Sequence, residues 1–173
     1  MFQLLTSSLF AAVRDTWRAS VRQDISFAAD SELLFIGILF SVNRNTSLGV
    51  FYRPPNSSTN CLWHLQTALD IVPSSSPSSE MVLVGDFNIP DWNTTCASVD
   101  SPNTSLLSDI IHGHFLFQLV KYPTRIGNIL DLVFVTSLDL VYDLKVGLPF
   151  SEYNSISMLL SKKSFSWRKL QKL

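Results

Sequence analysis

The chain has 173 residues, 46% of them hydrophobic and only 16% charged, with a mean hydropathy of +0.22. That excludes a disordered chain, which needs low hydrophobicity and high net charge, and it leaves room for one domain rather than two. Thirteen Lys and Arg against fourteen Asp and Glu give a net charge of −1, so no global basic field marks a nucleic-acid binder and such binding would need a local patch. Two cysteines, Cys61 and Cys96, make neither a disulfide framework nor a thiolate zinc site. A reduced, intracellular setting, nuclear or cytoplasmic, is expected. The thin charge suggests a piece of something larger, or a decayed sequence.

The longest apolar stretch, Leu33–Phe40, is interrupted by Gly37. It falls short of the ~20 residues that span a bilayer, so no membrane partner is expected. The N-terminal MFQLLTSSLFAA lacks a basic start, and Thr6-Ser7-Ser8 break its apolar run, which argues against a signal peptide. Sequons at Asn45, Asn56, Asn93 and Asn103 matter only for a secreted glycoprotein, the least favoured alternative.

In chain order, residues 1–30 show no clean period; Phe2–Val13 reads as a short helix or a remnant strand. Leu33–Val42 is an apolar run typical of a buried strand. A turn at residues 43–46 leads to a second strand, Ser47–Tyr52, and Pro54-Pro55 stop it. Asn60–Val72 is a helix, with Leu62, Leu65, Leu69 and Val72 on one stripe. Pro73–Ser79 reads as a linker and Met81–Val84 as a short buried strand. Thr104–His112 is a second helix stopped by Gly113. Strand-like pieces follow at Phe115–Val120, Ile129–Val135, Leu140–Val146 and Ile156–Leu160. The expected core includes Leu34, Ile36, Ile38, Val50, Val82, Val84, Leu132 and Phe134.

The most informative unit is the strand that ends in Gly85-Asp86-Phe87-Asn88. Alternate-face spacing would point Asp86 and Asn88 the same way, where a carboxylate and an amide can orient a water and a phosphate oxygen. Taken alone, the same four residues read sooner as a turn.

Four segments together resemble the endonuclease/exonuclease/phosphatase superfamily, and most closely the endonuclease domain of LINE-type (non-LTR) retrotransposons. They are Gly49-Val50-Phe51-Tyr52-Arg53-Pro54-Pro55-Asn56; Val82-Leu83-Val84-Gly85-Asp86-Phe87-Asn88; Pro123-Thr124-Arg125 with Asn128-Ile129-Leu130-Asp131-Leu132-Val133-Phe134; and Pro149-Phe150-Ser151-Glu152-Tyr153-Asn154-Ser155-Ile156. The resemblance implies an α/β fold, an α-β-β-α sandwich of two mixed β-sheets with outer helices, incomplete at the N-terminus. It divides the chain into an irregular or remnant segment at 1–30, a partial domain at 31–161 and a basic tail at 162–173. It implies magnesium-dependent DNA phosphodiester cleavage, with manganese as the second metal. DNA is the implied partner, with an adjoining reverse transcriptase in the ancestral element.

By the same resemblance, Tyr52 approaches the scissile phosphate and Asn56 is the polar residue shortly after it. Asp86 and Asn88 position the attacking water and the phosphate. Asp131 is the carboxylate that orients a histidine, and Arg125 lies close to the nucleic-acid groove. The reaction needs a metal, a positioned water and donors around the developing charge.

The chain also departs from the family. Where the family ends in Ser-Asp-His, it reads Ser151-Glu152-Tyr153. Tyr153 replaces an imidazole but titrates near 10. Glu152, the expected metal residue in place of Asp, carries an extra methylene that displaces its carboxylate. Residues 1–30 contain neither Glu nor Asn, so the family's Asn and metal-binding Glu strands look absent. Glu32 is not taken as a metal ligand. These losses imply weakened metal binding and a weak or inactive nuclease. The competing reading is a non-catalytic remnant or a binding module.

The remaining candidates take plainer roles. His112 and His114 suit a helix end rather than a zinc site, His64 is expected on a solvent face, and Cys61 and Cys96 are plain thiols. The basic, aromatic-interleaved tail fits a linker as well as a nucleic-acid contact.

Overall fold

The computed structural model describes residues 2–5, 10–13, 18–28, 32–41, 44–75, 80–92, 101–150 and 153–160. The expected basic tail, Cys96 and Glu152 lie outside them. Within residues 1–30, read as an irregular or remnant segment, the described residues include short strands. β1 (Phe2–Leu5) and β2 (Phe10–Val13) pair antiparallel as a separate sheet. β3 (Arg18–Val21) and β4 (Phe27–Ala28) both pair with β5 (Glu32–Ser41).

β5 continues as a hairpin into β6 (Arg44–Tyr52), which begins inside the expected turn. α1 (Asn60–Ser75) then crosses over to β7 (Glu80–Asp86), which pairs parallel with β6. A crossover helix is what a parallel pair requires. α1 runs three residues beyond the expected end, through Pro73. α2 (Pro102–Gly113) is capped by the Ser101 hydroxyl, which accepts from the Thr104 N–H at 3.2 Å, with proline in its first turn. β8 (Phe117–Gln118) and β9 (Asp131–Val135) complete a seven-stranded sheet ordered β3-β5-β6-β7-β9-β8, with β4 also on β5. β10 (Val141–Phe150) and β11 (Tyr153–Leu160) form a further two-stranded sheet. No helix among the described residues is long and apolar enough to cross a membrane.

Alternation along the strands sends side chains to two faces of the large sheet. Leu33, Phe35, Phe51, Leu83, Leu132 and Phe134 join Leu62, Leu65, Leu69 and Val72 of α1, and Leu107, Ile110 and Ile111 of α2, in one core. The predicted stripe of α1 is therefore its buried face. Each such leucine contributes about 1.5–3 kcal/mol through burial. On the opposite face Val82, Val133 and Val135 pack with Leu144, Val146, Ile156, Met158 and Leu160 of the β10–β11 hairpin. The layers seen among the described residues are thus helices, large sheet and small sheet, in that order. Val50 and Val84, expected in the core, are only half-buried. They are register partners, and Val84 lines a cavity of about 210 Å³ between the sheets.

Candidate active site

Four residues line up in register across the large sheet. Glu32 pairs with Tyr52 across β5–β6, Tyr52 with Asp86 across β6–β7, and Asp86 with Asp131 across β7–β9. Register partners share a face. The next row, Leu33, Phe51, Gly85 and Leu132, faces the helices, apart from the side-chain-less Gly85. The four therefore face the β10–β11 side, and Asp86 and Asp131 line the inter-sheet cavity together with Ile156 and Met158. The sequence-predicted Tyr52, Asp86 and Asp131 are brought together by register alone.

Gly85 makes the close packing of β6 and β7 possible. A Cβ there would sit 1.8 Å from the Phe51 carbonyl oxygen, which no side chain tolerates. Beyond Gly85 the strand ends at Asp86, and the expectation of pleat alternation from Asp86 to Asn88 is corrected. Asn88 has left the strand with φ 48°. It meets Asp86 through a turn, its N–H donating to the Asp86 carboxylate at 3.1 Å. Its side-chain amide donates to the Arg53 carbonyl at 2.8 Å. Phe87, between them, turns into the helix-side core against Phe51 and Phe134.

Arg53 carried no role in the sequence reading, yet it is 2% exposed. Its N–H donates to the Asp86 carbonyl at 2.9 Å, and its guanidinium donates to the Asn88 carbonyl at 3.1 Å and to the Ser57 carbonyl. It ties the Pro54–Ser57 turn to the Gly85–Asn88 turn. Burial disfavours its charge, but an arginine stays protonated, and its fork matches fixed carbonyls. Asn56 sits on that first turn, exposed, at φ 61°, the position after Pro55 where a left-handed residue is needed.

Thr124 is the other residue that the sequence reading passed over. It is fully buried, and its hydroxyl oxygen accepts the N–H groups of Leu130 and Asp131, each at 3.1 Å. Nothing in the Pro-Thr-Arg sequence marks the threonine as buried; of the three residues Pro123 is exposed, Thr124 buried and Arg125 half-buried. Arg125, half-buried, opens a tight hairpin. It exchanges backbone hydrogen bonds with Asn128 at 3.1 and 2.8 Å around Ile126 (φ 36°) and Gly127 (φ 81°). Two positive φ angles define the type I′ geometry.

Both carboxylates are held above the usual carboxylate range. For Asp86 burial acts first and the Asp131 charge second, against the Asn88 amide and the Arg125 charge. For Asp131 burial again dominates, opposed by the Thr124 hydrogen bond and by Arg125. An opposed, half-buried acidic pair of this kind attracts a cation or retains a proton.

The other candidates are placed as follows. Tyr153 begins β11 as the register partner of Phe150. Glu32, set aside on sequence, is 7% exposed and stands in the row beside Tyr52. His64, expected on the solvent face, is half-buried because α1 lies flat on the sheet. His114 caps α2 and its Nε2 lies 3.3 Å from the Asp70 carboxylate of α1. Among the described residues no group of three His, Cys, Asp or Glu gathers to hold a metal.

No protein-family model matches the chain, and no curated protein sequence matches it. Solved structures do. The endonuclease domain of TRAS1, a telomere-specific non-LTR retrotransposon, superposes with a TM-score of 0.69 at 17% identity, over 87% of this chain and 70% of that domain. The human Nocturnin catalytic domain, solved with bound sulfate, superposes with a TM-score of 0.50 at 11% identity, over 82% of this chain and 59% of its own. The fold expected from the sequence resemblance, that of the endonuclease/exonuclease/phosphatase proteins, is the fold of this chain.

Proposed function

We propose that the chain is a retrotransposon-derived endonuclease-like domain whose chemistry is divalent-metal-dependent hydrolysis of DNA phosphodiester bonds, in weakened form. The observation that carries this reading is the row Tyr52–Asp86–Asp131, drawn from three strands onto one face beside a cavity. The likeness in fold to the TRAS1 endonuclease domain supports it.

Magnesium is the expected ion and manganese the second. Asp86 and Asp131 are the described residues that would hold it. Magnesium is often bound by one or two carboxylates while keeping several waters, so two half-buried carboxylates fit it. When bound, such an ion neutralises charge on the phosphoryl oxygens. The chain's own residues do the rest. Asp86 orients the attacking water. Asn88, fixed by its bonds to Arg53 and Asp86, braces that geometry. Tyr52 offers a hydroxyl donor to the phosphate, and Thr124 fixes Asp131. Arg125 and Asn56 flank the strand of DNA. Tyr153 stands where the family uses histidine and cannot exchange a proton near neutrality. An adjoining reverse transcriptase would be the partner in the ancestral element.

The test is supercoiled plasmid incubated with the purified chain in magnesium or manganese. Slow nicking that Asp86→Ala abolishes is expected. DNA binding with no nicking in either metal would replace this reading with the second one, a module that holds DNA without cutting it.

A further inference from the structure

A strand at the edge of a sheet offers unpaired N–H and C=O groups to any other strand unless something guards it. Most edges here are short. β4 and β8 hold two residues each, β1 and β2 four each, and β3 holds four and opens with Arg18. The two edges of the β10–β11 hairpin are unequal. β10 takes an extra residue against β11 at two places, and Asp143 stands in the first of them at φ 54°. Lys145 pairs with Asp143 at 2.8 Å on the same strand, and Pro149 has no N–H to offer. Bulges, charge and proline are the usual guards of an edge. β11 has none of them: its eight residues, Tyr-Asn-Ser-Ile-Ser-Met-Leu-Leu, include no charge, proline or glycine. Among the described residues β11 pairs with β10 alone, and no backbone bond outside that ladder reaches it. Ser155, Ser157 and Leu159 are exposed on its outer face. Ile156, Met158 and Leu160, turned toward the large sheet, are only half-buried.

We infer that β11 is the docking edge for a second copy of this chain, whose own β11 adds antiparallel across a two-fold axis at Ser157, so that two hairpins become one four-stranded sheet. Directly opposed residues share a face. With Ser157 opposite Ser157 of the second copy, Ile156 stands opposite Met158, and the two half-buried rows join on the inner side. The sequence around the strand favours this arrangement. Glu152 precedes β11, and Lys162 and Lys163 follow it. Counted along the sequence, this register brings Glu152 level with Lys162 of the second copy at both ends, whereas parallel pairing would bring like flanks together. The strand of complementary charge is therefore β11 itself. β10 with its guards stays on the outside, so the assembly closes at two. Ile156 and Met158 also line the Asp86–Asp131 cavity, to which no described residue of β10 contributes. The added strand thus extends the wall of that cavity. The inference does not depend on the function proposed above.

The experiment is sedimentation equilibrium of the full chain over a range of concentrations, which should show monomer and dimer and nothing larger. Ser157→Glu faces Lys145 within its own hairpin, so the hairpin keeps it, but across the axis it sets two carboxylates against each other. The dimer should weaken roughly tenfold or more. Thr67→Glu, the same charge at an exposed position of α1, should leave it unchanged. Ser157→Cys should cross-link two copies under mild oxidation, because opposed Cα atoms lie about 4.5–5.5 Å apart, within reach of a disulfide. Ser155 stands opposite Leu159 of the second copy in this register, so Ser155→Cys should cross-link no more than the parent. Circular dichroism checks the fold of each variant, and if Ser157→Glu does not fold, the two cysteine variants decide. A monomer at every concentration, a dimer that a folded Ser157→Glu leaves intact, equal cross-linking from the two cysteine positions, or growth beyond two copies would each overturn the inference.

Discussion

Asp86 and Asp131 face each other as the last register pair of two antiparallel strands, where like charges destabilise a sheet. Their pKa values are raised in the folded chain. A group with a raised folded pKa favours folding when protonated, and that contribution is lost as pH rises through the raised value. The pair therefore costs stability at neutral and alkaline pH, and the cost disappears as pH falls toward the ordinary carboxylate value near 4. Asp86→Asn should melt a few degrees higher than the parent at pH 8, and the gap should close toward pH 4. Melting curves across that range check it; a variant less stable at pH 8 would contradict the account.

Two glycines separate the effect of close packing from that of glycine itself. Gly85→Ala drives a methyl into the Phe51 carbonyl and should cost more than about 4 kcal/mol, among the largest single-residue effects. Gly113→Ala meets nothing within 4 Å and should be neutral or stabilise by up to about 1 kcal/mol. Denaturant midpoints of the two variants give the comparison directly.

Arg53 ties two turns together from a buried position. Arg53→Met keeps the stem but leaves the Asn88 and Ser57 carbonyls without their donor. The expected loss is about 2–4 kcal/mol. Arg53→Lys, which keeps the charge without the fork, should recover only part of it. Full recovery by lysine in urea titrations would show that charge, not geometry, is what matters there.

Under the proposed nuclease reading, Tyr153→His restores the histidine that the family resemblance implies at this position. Positioned acid–base groups contribute about 10²–10⁴-fold, so a restored imidazole should raise the nicking rate measurably. An unchanged rate would locate the main loss elsewhere.

Local periodicity made the buried face of α1 legible, because Leu62, Leu65, Leu69 and Val72 need nothing beyond the helix to fall on one side. The strand before Asp86 was legible for a similar reason. The piece read as a strand over Phe115–Val120 shrank to Phe117–Gln118. The chain first has to close α2: Leu116 donates to the Ile111 carbonyl and Phe115 sits at φ 54°. Asp86 was singled out by the strand that ends in Gly-Asp-Phe-Asn, Tyr52 and Asp131 came from family resemblance, and no period in the sequence states their register. Glu32 and Arg53 stayed hidden because a lone charged residue carries no sign of whether a sheet will bury it. Asn88 was misread as strand because nothing in Gly-Asp-Phe-Asn marks where the ladder stops.

The row has a consequence for the order in which the molecule is made. Tyr52 is 20 residues from Glu32, Asp86 is 34 from Tyr52, and Asp131 is 45 from Asp86. The β5–β6 hairpin is local and can form within microseconds. Each later pairing must wait for a longer loop to close, and non-local pairing is slow. The acidic pair is thus the last step of the row to assemble, and it also carries the repulsion that makes this step reversible. Thermal opening should begin there, at the Phe87–Leu130 and Arg53–Asp86 backbone bonds. The alignment of Tyr52, Asp86 and Asp131 would then be lost on heating before the helical signal of α1 declines.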